Sequence, residues 1–182
     1  METSISKLGR QDWLDMGLKT LIDKGIEAVR VEPLAKLLGI TRGSFYWHFK
    51  NRDDLLAAML QEWETRNTEN IIESIETLAI NPADKLLSLL EIAARDDNRL
   101  EKAVRIWAAN DLAASATISR VDGRRLDYLH NLFCQLGFSI VDAKVRAQVT
   151  YSMRLGWFMM ASIEQSERLN QIDLVYQMFS KL

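Results

Sequence analysis

The chain has 182 residues, 48% of them hydrophobic and 26% charged, with a net charge of −2, two Pro and eight Gly. This balance fits one globular domain or two small ones and excludes collagenous, linker-rich and low-complexity chains. A single cysteine, Cys134, excludes an internal disulfide framework and a Cys-based zinc site. Nothing in the residues calls for a metal or a cofactor.

Apolar residues recur three and four apart and almost nowhere alternate, which predicts an all-α chain of about nine helices. Trp13, Leu14, Gly17, Leu18, Leu21 and Ile22 form one face of the first helix, which stops near Lys24-Gly25. The second spans Val31 to Leu38, with Pro33 in the first turn, where a missing N–H costs nothing. Gly39 ends it. Thr41 is placed to cap a third helix, on which Phe45 and Phe49 share a face. A long fourth helix starts near Arg52, with Asp53 and Asp54 favouring the positive end of its dipole. Asn81-Pro82 opens a fifth, running to about Arg95. Asn98 and Glu101 have the spacing of a capping box for the sixth. Ser115 is the expected cap of the seventh, which ends at Gly137, and Ser139 that of the eighth, which runs to about Glu164. A short ninth follows from around Asn170. No linker composition separates the parts, so the boundary between an N-terminal unit, 1–52, and the remainder, 53–182, is placed on the fourth helix. No apolar run approaches the ~20 residues of a membrane helix, and Met-Glu-Thr-Ser lacks the basic flank of a signal peptide. A cytoplasmic location without a membrane partner is the expectation.

Residues 31–49 carry the sharpest signal. A short helix, a turn containing Gly39 and a second short helix fit a DNA-binding helix-turn-helix. Leu34, Ala35 and Leu38 face inward, and Ile40 plugs the corner. Helix pairs of this kind also occur in ordinary bundles, but the run Thr41-Arg42-Gly43-Ser44-Phe45-Tyr46-Trp47-His48-Phe49-Lys50 is dense in donors and aromatics. A solvated helix has little reason to expose so many aromatics. Arg42 suits a bidentate contact to guanine, and Tyr46, His48 and Lys50 suit phosphates. Residues 1–56 hold nine Lys and Arg against eight Asp and Glu, while the rest hold 14 against 17. The sign of that asymmetry favours an anionic partner at the N-terminal end.

The pattern Ala35-x-x-x-Gly39-Ile40-Thr41-x-Gly43-Ser44-Phe45-Tyr46-x-His48-Phe49-x-x-Arg52-x-x-Leu55-Leu56 resembles the DNA-binding region of the tetracycline-repressor (TetR) family. The motif covers about the first third of the chain. The resemblance implies a three-helix DNA-binding domain, a connecting fourth helix, and a helical domain for ligand binding and dimerisation. It places Thr41, Arg42, Gly43 and Ser44 at bases and nearby phosphates, and Tyr46, His48 and Arg52 on phosphates. Arg30 stands where a Ser or Thr often caps the second helix and is itself within reach of phosphate. Trp47 falls at a variable position, so the target sequence does not carry over from relatives.

Outside this segment no catalytic constellation is visible. His130 lacks metal-ligand spacing, and Cys134 in Leu132-Phe133-Cys134 reads as a small buried hydrophobe. Leu60, Trp63, Trp107, Met153 and Trp157 read either as core or as the lining of an apolar effector pocket. Ala147, Ser152, Gly156 and Met160 on the eighth helix, with Val175 and Phe179 on the ninth, pack either within the subunit or against a second copy. The resemblance favours the latter. The expected protein is a homodimeric regulator, a repressor of a near-palindromic duplex operator released by a mostly apolar small molecule. Its rivals are a DNA-binding regulator or activator without an effector, and a helical interaction module.

Overall fold

The computed structural model describes residues 8–78, 80–160 and 163–180. Among these residues the chain is all-α, with ten helices and no strand. They are α1 (Arg10–Lys24), α2 (Val31–Leu38), α3 (Arg42–Phe45), α4 (52–77), α5 (Pro82–Arg95), α6 (Arg99–Ala108), α7 (Leu112–Gln135), α8 (Ile140–Met159), α9 (Gln165–Asn170) and α10 (Ile172–Ser180). A short 3₁₀ turn, Ile26–Ala28, joins α1 to α2. Helix α4 is composite: regular over Arg52–Glu64 and Asn70–Thr77, with a wider π turn at Thr65–Glu69 between them. The tenth helix arises because α8 ends early. Met160 leaves helical geometry, with φ −97° and ψ 102°, so the stretch expected to continue to Glu164 instead leads into α9.

Several starts follow from side-chain caps. Asn51 Oδ1 accepts from the Asp54 N–H at 2.9 Å, Asn81 Oδ1 from the Asp84 N–H at 3.0 Å, and Ser139 Oγ from the Asp142 N–H at 3.2 Å. Two predicted caps beyond the helix-turn-helix are wrong. Asp111, not Ser115, caps α7: its Oδ1 accepts from the Ala114 N–H at 2.8 Å, which leaves Ser115 inside the first turn. Asn98 is left-handed (φ 57°) and its side chain does not cap α6, and Glu101 turns into the interior instead of back to the helix start. Asp97 takes part of the capping role, accepting from the Arg99 N–H at 3.0 Å.

One apolar core runs from the N-terminal unit into the remainder. Trp13, Leu14, Leu18, Leu34, Phe45, Phe49, Leu55 and Met59 pack together and continue into Leu60, Trp63, Val104, Trp107 and Val121. A Cβ on Gly17 would meet Met59 Sδ at 2.7 Å, so glycine lets α1 lie close against α4. A second core gathers Leu90, Leu129, Phe133, Phe138, Ala147, Tyr151 and Trp157 from α5, α7, α8 and the turn before α8. No linker divides the parts. Helix α4 begins under the helix-turn-helix and ends beside α5, with Leu55 to Trp63 in the first core and Ile72 and Ile75 in a small third cluster with Tyr128 and Leu132.

Candidate nucleic-acid interface and ligand cavity

The helix-turn-helix is held from behind by aromatic rings. Phe45 and Phe49 are buried and stack with centroids 5.3 Å apart, and Trp13 meets Phe45 edge-on at 5.1 Å. Gly39 takes a left-handed conformation (φ 69°) that a side chain would strain. The turn is closed by Gly39 N–H donating to the Lys36 carbonyl and Ile40 N–H to the Ala35 carbonyl, at 3.2 and 3.1 Å. Leu34 and Ala35 are buried and Leu38 is partly so, as the spacing predicts.

This scaffold leaves the predicted contact residues facing outward. Arg30, Thr41, Arg42, Gly43, Tyr46, Trp47 and Lys50 are exposed, and Ser44 and His48 are half-buried. Trp47 is 87% exposed, an unusual state for so large an apolar ring. Three local details differ from expectation. The Thr41 side chain makes no capping hydrogen bond. Helix α3 is only four residues long and continues as turns to Phe49, whose N–H still reaches the Phe45 carbonyl at 3.0 Å. Arg52 was expected on phosphate, but its guanidinium is engaged within the fold, Nε donating to the Val29 carbonyl at 2.7 Å and Nη2 to the Ile26 carbonyl at 3.0 Å. That corrects its assignment: Arg52 clamps the start of α4 to the turn between α1 and α2. Arg42 Nη2 donates to the Tyr46 hydroxyl at 3.0 Å, and its charge lies 5.9 Å from that ring. The hydrogen bond to Tyr46 raises the Arg42 pKa, so Arg42 is a fixed cation.

The predicted pocket residues divide. Met153 and Trp157 line a cavity of about 90 Å³ between α4, α5, α7 and α8, together with Ile71, Leu89, Leu129 and Thr150. Leu60, Trp63 and Trp107 do not line it. Leu60 and Trp63 are buried in the core that joins the two parts, and the Arg125 guanidinium lies 5.6 Å from the Trp63 ring. Trp107 borders a different cavity, about 440 Å³, between the end of α1 and α6, with Leu21, Ile22, Leu56, Ala103 and Ile106.

A buried charge network beside the smaller cavity was not anticipated. Glu101 is 1% exposed and pairs with Arg105 at 2.9 Å, Arg125 at 3.0 Å and Arg154 at 3.4 Å. Burial works against the carboxylate, but Arg125, Arg154 and Arg105 outweigh it and hold its pKa below the ordinary value. Arg105 also grips Asp122 with both terminal nitrogens, at 2.6 and 3.1 Å, and the Tyr151 hydroxyl donates to Asp122 at 2.6 Å. Arg125 reaches the π turn of α4, donating to Thr68 Oγ1 at 3.0 Å and the Asn67 carbonyl at 3.1 Å. The available signal was periodicity: Glu101 shares the inward face of α6 with Val104 and Trp107, three apart each time.

The predicted interface residues divide as well. Ala147 is buried in the second core, and Val175 and Phe179 pack against it while staying partly exposed. Ser152 and Met160 are exposed and Gly156 is half-buried, with nothing within 4 Å of a Cβ built on it. The close packing expected at Gly156 is therefore absent within the subunit. Exposed apolar residues lie on the same face of α8, at Val141, Val145 and Val149 and, at its end, Met160, with Leu174 and Met178 exposed on α10.

A helix-turn-helix packed on the first turns of a long helix that enters a larger helical domain defines a class, the one-component helical DNA-binding regulators. Residues 14–59 match the family described as "Bacterial regulatory proteins, tetR family". The chain is 38% identical over 84 residues to the HTH-type transcriptional regulator AcrR of Shigella flexneri, a match covering 46% of this chain and 37% of that protein. It is 27% identical over 168 residues to the tetracycline repressor protein class C of Escherichia coli, covering 90% of this chain and 68% of that one. The chain thus spans little more than a third of the AcrR relative. A crystal structure of a TetR/AcrR-family transcriptional regulator superposes with a TM-score of 0.81 at 22% identity, over 94% of this chain and 98% of that one, a likeness of fold. The N-terminal unit of the chain is thus similar to the tetR family of regulatory proteins, and the chain as a whole shares the fold of a solved TetR/AcrR-family regulator. Among the described residues no helix is long and apolar enough to cross a membrane.

Proposed function

We propose that this chain acts as a homodimeric repressor that holds a near-palindromic duplex operator and leaves it when a small molecule occupies the cavity between α4, α5, α7 and α8. The observation that carries the DNA-binding part is the outward array of Arg42, Tyr46, Trp47 and Lys50 on a turn locked by Phe45, Phe49 and Gly39. Arg42 reads a base edge, with Thr41, Gly43, Ser44 and Trp47 close to the bases. Tyr46, His48, Lys50 and Arg30 hold phosphates, and Arg52 sets the orientation of the unit from within. Two recognition segments one helical turn apart, about 34–36 Å, match two half-sites. The exposed faces of α8 and α10 supply the contact between copies.

Release follows if the ligand prefers a conformer in which that spacing is lost, by as much as its differential affinity for the two states. The tetracycline repressor relative, a repressor named for a small molecule, supports this reading. The small volume of the cavity favours a second one, a regulator without an effector. Selection of bound fragments from the source genome tests the core of the proposal. The selected duplex should bind with a log K against log salt slope of roughly −7, as expected for a dimer touching about eight phosphates. A slope near zero overturns it, and retention of the operator across a broad ligand screen leaves the effector-free reading.

A further inference from the structure

The lining of the smaller cavity states what kind of molecule fits it. Its body is apolar: Ile71, Leu89, Leu129, Met153 and Trp157. Its polar lining includes Asn67, Asp96, Arg125 and Tyr151 together with Thr150 and Arg154, the last two four residues apart on α8. Thr150 is 3% exposed and its hydroxyl has no hydrogen-bond partner among the described residues. The Nη1 of Arg154 is likewise buried and unpartnered. Buried donors without acceptors are costly, and here two of them border an empty volume.

The charge around them is unbalanced in the same sense. Arg105, Arg125 and Arg154 face Glu101, Asp122 and Asp96, and the Arg154 pairs are long, 3.4 Å to Glu101 and 3.6 Å to Asp96. A fourth guanidinium, Arg168, is 5% exposed, lies 5.8 Å from the Trp157 ring and donates to the Asp96 main-chain carbonyl at 3.1 Å. Its Nε is buried and unpartnered, and no carboxylate among the described residues lies within ion-pair distance of it. The cluster therefore carries one buried positive charge more than it neutralises. The cavity, about 90 Å³, is smaller than the ~150 Å³ of an engineered cavity that takes benzene, so the apolar body of the occupant is smaller than a benzene ring, such as a short branched chain.

We propose that this cavity binds a small organic monocarboxylate, its apolar body against Leu89, Leu129 and Trp157 and its carboxylate accepting from Arg154 Nη1 and the Thr150 hydroxyl. The inference rests on the ligand-responsive reading above and names the class of ligand. Arg125 extends the same network to the π turn of α4, so a carboxylate that draws Arg154 away from Glu101 acts on the helix that carries the DNA-binding unit.

Calorimetric titration of the full chain with 2-methylpropanoate and 3-methylbutanoate, each beside its amide and its amine, tests this. At least one acid should bind, its amide should bind about tenfold or more weakly, and the amines should not bind, because charge-assisted hydrogen bonds are roughly twice as strong as neutral ones. Arg154→Gln should lower acid affinity by about 10–100-fold, and Thr150→Val by about tenfold, the range of one buried hydrogen bond to a charged group. Thr150→Val leaves the ion network intact and carries the test if circular dichroism shows Arg154→Gln misfolded. Binding of neither acid, equal binding of acid and amide, or unchanged acid affinity in Thr150→Val overturns the inference. The operator separates it from the reading beneath it. An amide that releases selected DNA while the acids do not overturns the anion and keeps the ligand response. An acid that binds in the predicted mutant pattern without changing operator affinity supports the site and removes the response.

Discussion

At the scale of single residues, Arg42 and Tyr46 act as a pair. The 3.0 Å hydrogen bond from Arg42 to the Tyr46 hydroxyl holds the guanidinium in one place before DNA arrives, which lowers the ordering cost on binding. Arg42→Ala is expected to cost about 1–3 kcal/mol on the selected operator and to flatten preference at one base pair, the signature of a bidentate base contact. Tyr46→Phe should weaken binding to all sequences and, by freeing the Arg42 guanidinium, flatten the same preference in part. Titrating both variants against the operator and its single-base variants checks this, and uniform weakening by Arg42→Ala would put Arg42 on the phosphate backbone. Arg52 shows why a resemblance in sequence can mislead at this scale. Its position matched a family phosphate contact, yet two of its five donors are taken by the Val29 and Ile26 carbonyls. Sequence spacing reports which residue stands at a helix start but not which acceptor its side chain reaches.

At the scale of elements, the helices that carry strong local punctuation were legible. Pro82 after Asn81, Gly39 at φ 69° and Ser139 before Asp142 all stand where the pattern put them. What the pattern missed was set by tertiary contacts. The π turn at Thr65–Glu69 leaves no compositional trace, although Arg125 anchors to it. The choice between Asp111 and Ser115 as a cap is one turn of ambiguity in a run where both are good caps. Helix faces divided: Ala147 is interior, while Ser152 and Gly156 continue the face on which the valines Val145 and Val149 are exposed. Those valines make the dimer testable. Val149, 48% exposed on α8, should accept arginine without disturbing the subunit. Val149→Arg is therefore expected to give monomers in sedimentation, unchanged far-UV helicity and a collapse of operator affinity, since one half-site alone forfeits most of the binding energy. A dimer that survives Val149→Arg would move the interface off this stripe.

At the scale of the whole molecule, Glu101 is the point through which the parts meet. Its helix, α6, lies against α1 of the DNA-binding unit, and Arg125 and Arg154 bring α7 and α8 to the same carboxylate. The three arginines hold the Glu101 pKa below its ordinary value near 4.5 despite burial. The sign of the consequence is fixed. A group whose pKa is depressed by folding stabilises the native state above its unfolded pKa, and that contribution fades as pH falls through the folded value, because the unfolded chain takes up the proton first. Stability should therefore decline on acidification from about pH 4.5 downward, with Glu101 among the causes. Glu101→Gln isolates its share. At neutral pH the variant should lose about 3–5 kcal/mol, the usual cost of leaving buried charges unpaired, and below the ordinary carboxylate pKa the difference from the parent should shrink, because the unfolded parent then takes up a proton that its native state does not bind. Urea unfolding of both proteins between pH 7 and pH 3 reads this directly. Glu76, paired with Lys85 and accepting from Tyr128, also has a lowered pKa, but it sits at the surface and its contribution cancels in the comparison of the two proteins. A stability difference that stays constant from neutral to acid pH would mean that Glu101 acts by packing alone, and the joint between the DNA-binding unit and the cavity would then not be electrostatic.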